Sequence, residues 1–574
     1  MNADALEDSR TWLIRFARQM PALLGQHAGT ADLAVRFNAL ALERQLERRF
    51  TLAIVGRMKA GKSTLLNALV ERSLAPVGVT ETTATINWFE AGTEEDAALF
   101  EVHWSDPSRP PERRPHARLA EFCGRGTAAG AVRYLRFFAP TAFLDNVRIV
   151  DTPGFGSTIL THEDTIAGYL GAARGRESDA ADGRADAVLL VMSHSAREID
   201  TRALADFQKH TRFPGQGPYN SIAVLQKWES FEGNPVEEAR RIASALAARL
   251  RGRVADVVPI SGLLHQLSRE AEIAQLNAIA ALAGRLSAEA LARATLDEAS
   301  FRSDPAHAAL QDALITRLGG SAGDQVDLWP ILRFVLRLVQ HERIADGQAL
   351  RERLRCLSGI DDLRRELHRR FFKLSELIRA GAISMRALDL CEQARVRLRD
   401  EHARLAALAG EDAIVDTGLA AGRLRDPELA GRLAATLSLH RTLRDQMATS
   451  IGVTVAALDD WIRDGHRHFE LLLSDVEQIE RLDDPAIDLD DDATAMLRSL
   501  FGIYGIDLCK RLSLEVGASP ATLRGRADDW LATISTLLRV AAGPMQRQVL
   551  RHAMNRLQVL HRLLDGMEMN SAEN

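Results

Sequence analysis

The spacing of apolar positions changes twice along the chain. Over residues 1–49 it is helical: Leu6, Leu13, Phe16 and Met20 fall near one face, and Leu33, Phe37 and Leu40 continue the pattern. Pro21 between them predicts a break into two helices. From Phe50 short apolar runs take over. FTLAIV (50–55) ends in glycine and suits a buried strand. Further strands are predicted at 84–89, 98–104, 146–150, 186–192, 220–225 and 254–260, with helical stretches between most of them. This alternation predicts an α/β domain with a largely parallel sheet. After Ser261 the strand pattern stops. Residues 262–300 are rich in Ala and Leu with helical spacing, and Gly319–Gly323 marks a loop. From about 360 to the end the pattern is almost entirely helical. Cys391, Leu398 and Leu405 recur at heptad spacing, with Ala394 and Leu408 between them. Leu550, Met554, Leu557, Leu560 and Leu564 form a second stripe. Both suit packed bundles or coiled coils.

A chain of 574 residues is too long for one core, so two or more domains are expected. Four divisions are read: 1–49, N-terminal helices packing with the helical part; 50–265, the α/β domain; 266–380, a helical extension beside it; and 381–574, a helical bundle or stalk with a tip near 483–506. The net charge of −6 gives no bulk attraction to nucleic acid, and no nucleic-acid partner is expected. The four cysteines are far apart and suggest neither a disulfide framework nor a zinc site, so a reducing cytoplasm is the simplest setting. No apolar run is long enough to span a bilayer. Lysine is rare: six residues, at 59, 62, 209, 227, 373 and 510, against 66 arginines. The retained lysines are candidates for roles that a guanidinium cannot fill.

Three of the six lie in motifs that carry chemistry. Gly56-Arg57-Met58-Lys59-Ala60-Gly61-Lys62-Ser63 fits G-x-x-x-x-G-K-[ST], between a predicted strand and a predicted helix that continues through Thr64. The glycines let backbone N–H groups wrap a phosphate chain. Lys62 can reach the β- and γ-phosphates, and Ser63 can ligate Mg²⁺. Asp151-Thr152-Pro153-Gly154 follows a second apolar run. There Asp151 can hold Mg²⁺ through water, and the Gly154 N–H can meet the γ-phosphate. Between them, Val79-Thr80-Glu81-Thr82-Thr83-Ala84 offers three threonines, any of which could complete the Mg²⁺ shell.

Base recognition is written less regularly. An [NT]-K-x-D motif would be expected after a strand, its Asp accepting from the guanine ring N–H and amino group. Here the strand runs into Gln226-Lys227-Trp228-Glu229. Glu229 keeps a carboxylate one methylene longer, the Lys227 stem can cover a base, and Gln226 stands in for Asn or Thr. Pro259-Ile260-Ser261-Gly262 closes the last predicted strand and resembles the loop that backs guanine, with Ser261 at its centre. The irregular motif leaves a P-loop ATPase as an alternative.

These motifs, in this order, resemble those of bacterial dynamin-like proteins. GRMKAGKSTLLNALVERSLAP resembles their P-loop and first helix, VTETTATINWF their first switch, DTPGFGSTILTHEDTIAGYL their second switch and the helix after it, and ADAVLLVMSHS the strand that follows. SGIDDLRRELHRRF (358–371) is similar to a segment found after the GTPase domain in bacterial dynamins such as the isoniazid-inducible ones. The resemblance implies an α/β P-loop GTPase domain joined to a large all-α helical bundle or stalk. It implies GTP and GDP as ligands, Mg²⁺ as cofactor, and activation by self-association through GTPase domains or with a second dynamin-like subunit. It also implies a stalk that meets membranes or partners, hence a cytoplasmic protein with peripheral contact at the inner face of the cell membrane. By the same resemblance the switch threonine is Thr83, and Asp151 and Gly154 sense the γ-phosphate. Phe155 stands where related GTPases place a catalytic glutamine. Thr83 and backbone groups are then expected to position the water, and Lys59 to supply positive charge in the P-loop.

For a membrane-facing tip the segment Leu500-Phe501-Gly502-Ile503-Tyr504-Gly505-Ile506 is the candidate, although an acidic run, Asp483 to Asp492, precedes it. The C-terminal helix carries Arg547, Arg551, Arg556 and Arg562 around its apolar stripe and is a second candidate. A soluble GTP-dependent switch or scaffold acting on a protein partner is the alternative function.

Overall fold

The computed structural model describes residues 9–57, 60–72, 74, 86–106, 108–122, 131–151, 185–193, 220–318, 328–420 and 426–572. They form two compact units. One draws on residues 49–375, the other on the stretches before residue 49 and after residue 375. The Gly319–Gly323 loop read from sequence lies outside the described residues.

The first unit is built on a nine-stranded sheet: β1 (Phe50–Gly56), β2 (Ile86–Ala91), β3 (Leu99–Trp104), β4 (Glu112–Pro115), β5 (Val132–Ala139), β6 (Val147–Asp151), β7 (Ala187–Met192), β8 (Ser221–Leu225) and β9 (Val257–Pro259). Their order is β4-β3-β5-β2-β6-β1-β7-β8-β9. β1, β7 and β8 are buried along their whole length, which is why they read as unbroken apolar runs. Pairing from β6 through β1, β7 and β8 to β9 is parallel. The other half is mixed: β2 runs parallel to β5 but antiparallel to β6, and β3 antiparallel to both β5 and β4, so five of the eight pairings are parallel, in line with the expected largely parallel sheet. Two of its strands went unread. β4 is short and charged, and β5 carries two arginines, Arg133 and Arg136, among its apolar residues. The arginines answer acids on neighbouring strands: Arg136 lies 3.7 Å from Glu90 and 3.5 Å from Glu101, and Arg113 3.1 Å from Glu101.

Helices after β9 belong to the same unit. Gly262–Glu270, Ile273–Arg285, Trp329–Glu342 and Gly347–Leu357 enclose a core containing Leu264, Leu276, Ile331, Val335, Leu350 and Leu354. Trp228, from the loop after β8, enters that core and meets Phe334 edge-on at 5.4 Å. One core therefore includes both the helical extension and a residue of the base-recognition motif.

The second unit is helical. The first described helix, Ser9–Leu24, runs through Pro21 and ends one turn later, which corrects the expected break. Trp12 and Phe16 stack at 4.7 Å and pack on Trp461 of the long helix Pro427–Arg481. Gly465 on that helix is required: a Cβ there would lie 2.4 Å from a Leu388 methyl and 3.0 Å from the Trp12 ring. Of the heptad stripe on helix Ser375–Ala420, Cys391, Ala394 and Leu398 are buried, whereas Leu408 is exposed.

The 500–506 segment does not present an apolar surface. Leu500, Phe501, Ile503 and Ile506 are buried, and Tyr504 is the exposed side chain. Arg511 holds the segment from inside, donating to the Leu500 carbonyl at 2.8 Å and the Ile506 carbonyl at 3.2 Å. Its charge is met by Asp475 at 2.9 Å, which also binds Arg556 at 2.8 Å and faces His552 at 3.3 Å. Arg556, one of the arginines of the C-terminal stripe, thus serves the interior. Burial acts against the Asp475 charge, yet Arg556, Arg511 and His552 hold its carboxyl below the usual carboxylate range. Removing one member strands buried charge. Asp475→Ala is therefore expected to destabilise the helical unit by about 3–5 kcal/mol. Asp460→Ala, which breaks an exposed pair with Arg463, should leave it close to wild type. Urea unfolding of the two variants side by side checks this.

Candidate functional site

The site lies where the parallel strands end. β1 finishes at Gly56, pressed so closely on β7 that a Cβ there would lie 2.5 Å from the Val191 carbonyl oxygen. The chain turns through Gly61, at φ +100, into the helix Lys62–Val70. Ser63 and Thr64 sit half-buried in its first turn, which presents unpaired N–H groups to an anion. Lys62 is buried, and its Nζ donates to the carbonyls of Gly56 at 3.1 Å and Arg57 at 3.2 Å.

β6 lies beside β1 in register Ile54 to Asp151, which sets Asp151 at the same edge of the sheet. Its carboxylate is buried and, among the described residues, neither oxygen has a hydrogen-bond partner. Burial pushes its pKa up to about 6, against the attraction of Lys62. Burial likewise lowers the pKa of Lys62, against the attraction of Asp151. The two charges therefore do not satisfy each other, and their environment is incomplete without further ions. Two orphaned buried carboxylate oxygens beside a hydroxyl-bearing helix start fit a hydrated Mg²⁺, and a buried ammonium fits phosphate oxygens. Of the remaining residues predicted for this end of the site, Met58, Lys59, Thr83 and Gly154 lie outside the described residues. Ala60 is buried and Arg57 half-buried.

The 226–229 loop, the candidate for base recognition, is brought against the 56–63 loop by β8. Gln226 takes its backbone position from the Met192 carbonyl, at 2.7 Å, and its Nε2 donates to the Gly61 carbonyl at 3.1 Å. The longer amide side chain thus ties one loop to the other, a role that the sequence reading did not give it. Lys227 adopts φ +64 and is exposed, while Trp228 turns inward. Glu229 is buried. Burial pushes its pKa up to about 7, against hydrogen bonds from its own amide and the Ser261 hydroxyl, and its Oε2 has no partner among the described residues. Ser261 is fully buried, and its hydroxyl also accepts from the Leu264 amide, capping the helix that follows β9. Its own amide donates to the Ser358 carbonyl at 2.8 Å, so the 358–371 segment reaches the site from behind. That contact has no local sequence pattern.

Residues 52–227 match the Dynamin family model. Isoniazid-induced protein IniC of Mycobacterium tuberculosis strain H37Rv is 28% identical over 286 residues, 48% of this chain and 55% of that protein. The chain thus spans about half the length of that curated relative. Dynamin-like protein 2 of Campylobacter jejuni is 28% identical over 145 residues, 25% of this chain and 23% of that protein. Among solved structures, an oligomerised bacterial dynamin pair, described as a mechanism for long range sensing and tethering of membranes, matches at 14% identity with a TM-score of 0.29. That match covers 82% of this chain and 80% of the other.

His265, on the helix capped by Ser261, is buried, and among the described residues neither ring nitrogen has a partner. Burial, with Arg364 and Arg269 nearby, lowers its pKa to about 4, while Asp361 and Glu71 act in the opposite sense. The folded state therefore keeps this ring neutral. As pH falls from about 6.5 towards 4 the unfolded chain gains a proton that the folded chain refuses, so stability present above pH 6.5 is lost, by up to ~3 kcal/mol. Between pH 7.5 and 5, the urea midpoint of wild type should fall further than that of His265→Leu.

Proposed function

We propose that this chain, whose residues 52–227 match the Dynamin family, binds GTP and hydrolyses it to GDP and phosphate. We further propose that it couples this cycle, through association of GTPase domains, to movement of its helical unit at a membrane surface. The observation that carries the first part is the incomplete charge environment at one strand edge, Lys62 and Asp151, joined by Gln226 to a loop holding a buried carboxylate.

Lys62 exchanges its two carbonyl partners for β- and γ-phosphate oxygens, and the helix start supplies amide donors and a favourable dipole. Gly56, Arg57, Met58, Ala60, Gly61 and Thr64 complete the wrap around the phosphates. Mg²⁺ bound by Ser63, Thr83 and, through water, Asp151 would neutralise phosphate charge. The Gly154 amide meets the γ-phosphate, and Thr83 orients the attacking water. Lys59 supplies positive charge where the bridging oxygen becomes negative. At the other end the Glu229 carboxylate accepts from the guanine N–H groups, the Lys227 stem covers the ring and Ser261 backs it. A carboxylate with an unpartnered buried oxygen gains hydrogen bonds from guanine that adenine cannot donate, which favours GTP over ATP.

The membrane half of the reading is supported by the long helix Pro427–Arg481, on which Leu429, Leu433, Leu439, Leu443 and Met447 are exposed. Among the described residues no helix is long and apolar enough to cross a bilayer, so contact there would be peripheral.

Lys62→Ala should abolish phosphate release from GTP, because it removes the charge on the transferred group. Wild-type turnover in that variant would refute the site. Replacing Leu439, Leu443 and Met447 together with Ser should cut co-sedimentation with anionic liposomes several-fold while leaving GTP turnover in solution intact. Wild-type protein that stays in the supernatant with and without nucleotide would favour the soluble switch or scaffold.

A further inference from the structure

The helix that starts at the phosphate loop is short, nine residues from Lys62 to Val70, about 13 Å long, and both of its ends are fixed by residues beyond the family match. At its first turn Thr64 packs on Gly262, where a Cβ would lie 2.8 Å from the Thr64 methyl. At its last turn the Asn67 carbonyl accepts from the Arg72 amide at 3.2 Å. The next two carbonyls have no partner within the helix and are taken by one side chain: Arg364 Nη2 donates to Ala68 at 3.0 Å and Leu69 at 2.8 Å. Its Nη1 pairs with Glu71 at 2.6 Å, and the guanidinium lies 6.0 Å from the Phe143 ring centre. A positive charge at a helix C-terminus, satisfying two orphan carbonyls, is favourable by both hydrogen bonding and dipole.

Arg364 is itself fixed at the opposite end of the nucleotide site. It lies on the helix Ile360–Leu367, which buries Ile360, Leu363 and Leu367 completely. The start of that helix is bound to the loop behind the base. Ser358 accepts from the Ser261 amide, and Gly359, at φ +70, comes so near the Pro259 carbonyl oxygen that a Cβ would lie 2.5 Å from it. One rigid segment therefore touches the base loop with its first turn and the far end of the phosphate-loop helix with its guanidinium.

We propose that Arg364 is a positioning residue of the nucleotide site: by capping the phosphate-loop helix from a segment anchored on the base loop, it fixes the distance between the phosphate cradle and the base cradle. The inference rests on the nucleotide reading given above. A nucleotide spans both cradles, so a loose cap lets the helix start drift against the base loop and weakens every ligand that uses both. Arginine is needed because its planar fork reaches two carbonyls and a carboxylate at once, which a lysine ammonium does not.

The test uses the full chain and measures GDP affinity, kcat and KM for GTP, and the thermal midpoint without nucleotide. Arg364→Met, which keeps the stem, should weaken GDP binding about 5- to 30-fold and raise KM more than it lowers kcat. Arg364→Lys should fall between Met and wild type. Arg353→Met, which breaks another arginine–glutamate pair of the same unit, with Glu342 at 2.7 Å, should stay within about twofold of wild type in affinity. A purely structural role would lower the midpoint of Arg364→Met while leaving GDP affinity at wild type well below that midpoint, and this would overturn the proposal. If Arg364→Met does not fold, Glu71→Ala carries the test: GDP binding weakened about two- to fivefold supports the proposal, and unchanged binding overturns it. Wild-type protein that binds no GDP would remove the nucleotide reading and this inference together, whereas wild-type binding with an unaffected Arg364→Met removes this inference alone.

Discussion

Two opposite charges buried at one edge of the sheet govern the rest of this molecule. Lys62 starts the helix that follows β1, Asp151 ends the neighbouring strand β6, and each is held away from its ordinary protonation behaviour by burial more than it is helped by the other. Such a pair is costly unless something completes its environment. In the proposed nucleotide site, phosphate oxygens and a divalent cation would do so, one for each partner. The strand order follows from the same need. A strand between β6 and β7 ends in a loop that faces both neighbours, and the parallel continuation through β8 and β9 carries the base loop to the same edge, the side on which open α/β sheets bind ligands. The antiparallel strands are kept to the far side, where their arginines and acids pair among themselves.

The arginine-rich composition has a structural reading in both units. Arginine forks tie distant elements where a single side chain must meet several acceptors: Arg511 and Arg556 on Asp475 in the helical unit, Arg364 on the phosphate-loop helix in the other. Lysine is kept where a slim ammonium must enter a cradle of backbone carbonyls, as Lys62 does. The same logic accounts for the 500–506 segment. Its apolar residues read as a surface loop because two glycines interrupt them, but Arg511 fills the turn with a charge from the interior and draws Phe501 and Ile506 inward.

The candidate phosphate end was legible in the sequence as a proposal because its chemistry is local: glycines, a lysine and a hydroxyl within eight positions, then an acid at the end of an apolar run. The strands buried on both faces were equally legible. What escaped depends on partners far along the chain. β5 hides its strand character behind Arg133 and Arg136, and the charge of Arg136 is answered across the sheet rather than along it. Pro21 was read as a helix break, yet it falls in the last turn, where little helix remains to disturb. Gln226 appeared as a departure from the expected motif, and its extra methylene proves long enough to reach the Gly61 carbonyl. Arg364 lies 293 residues from the acid that it pairs with, a separation at which no spacing rule operates.

One site is proposed to take phosphates at Lys62 and guanine at Glu229. A competition titration against labelled GDP at fixed Mg²⁺ tests it most directly. GTP should displace the label at concentrations where ATP, in about hundredfold excess, leaves it bound, as expected when a buried acceptor is left unpaired by the wrong base. Equal displacement by the two nucleotides would contradict the account, because the Glu229 carboxylate would then have no part in choosing the ligand.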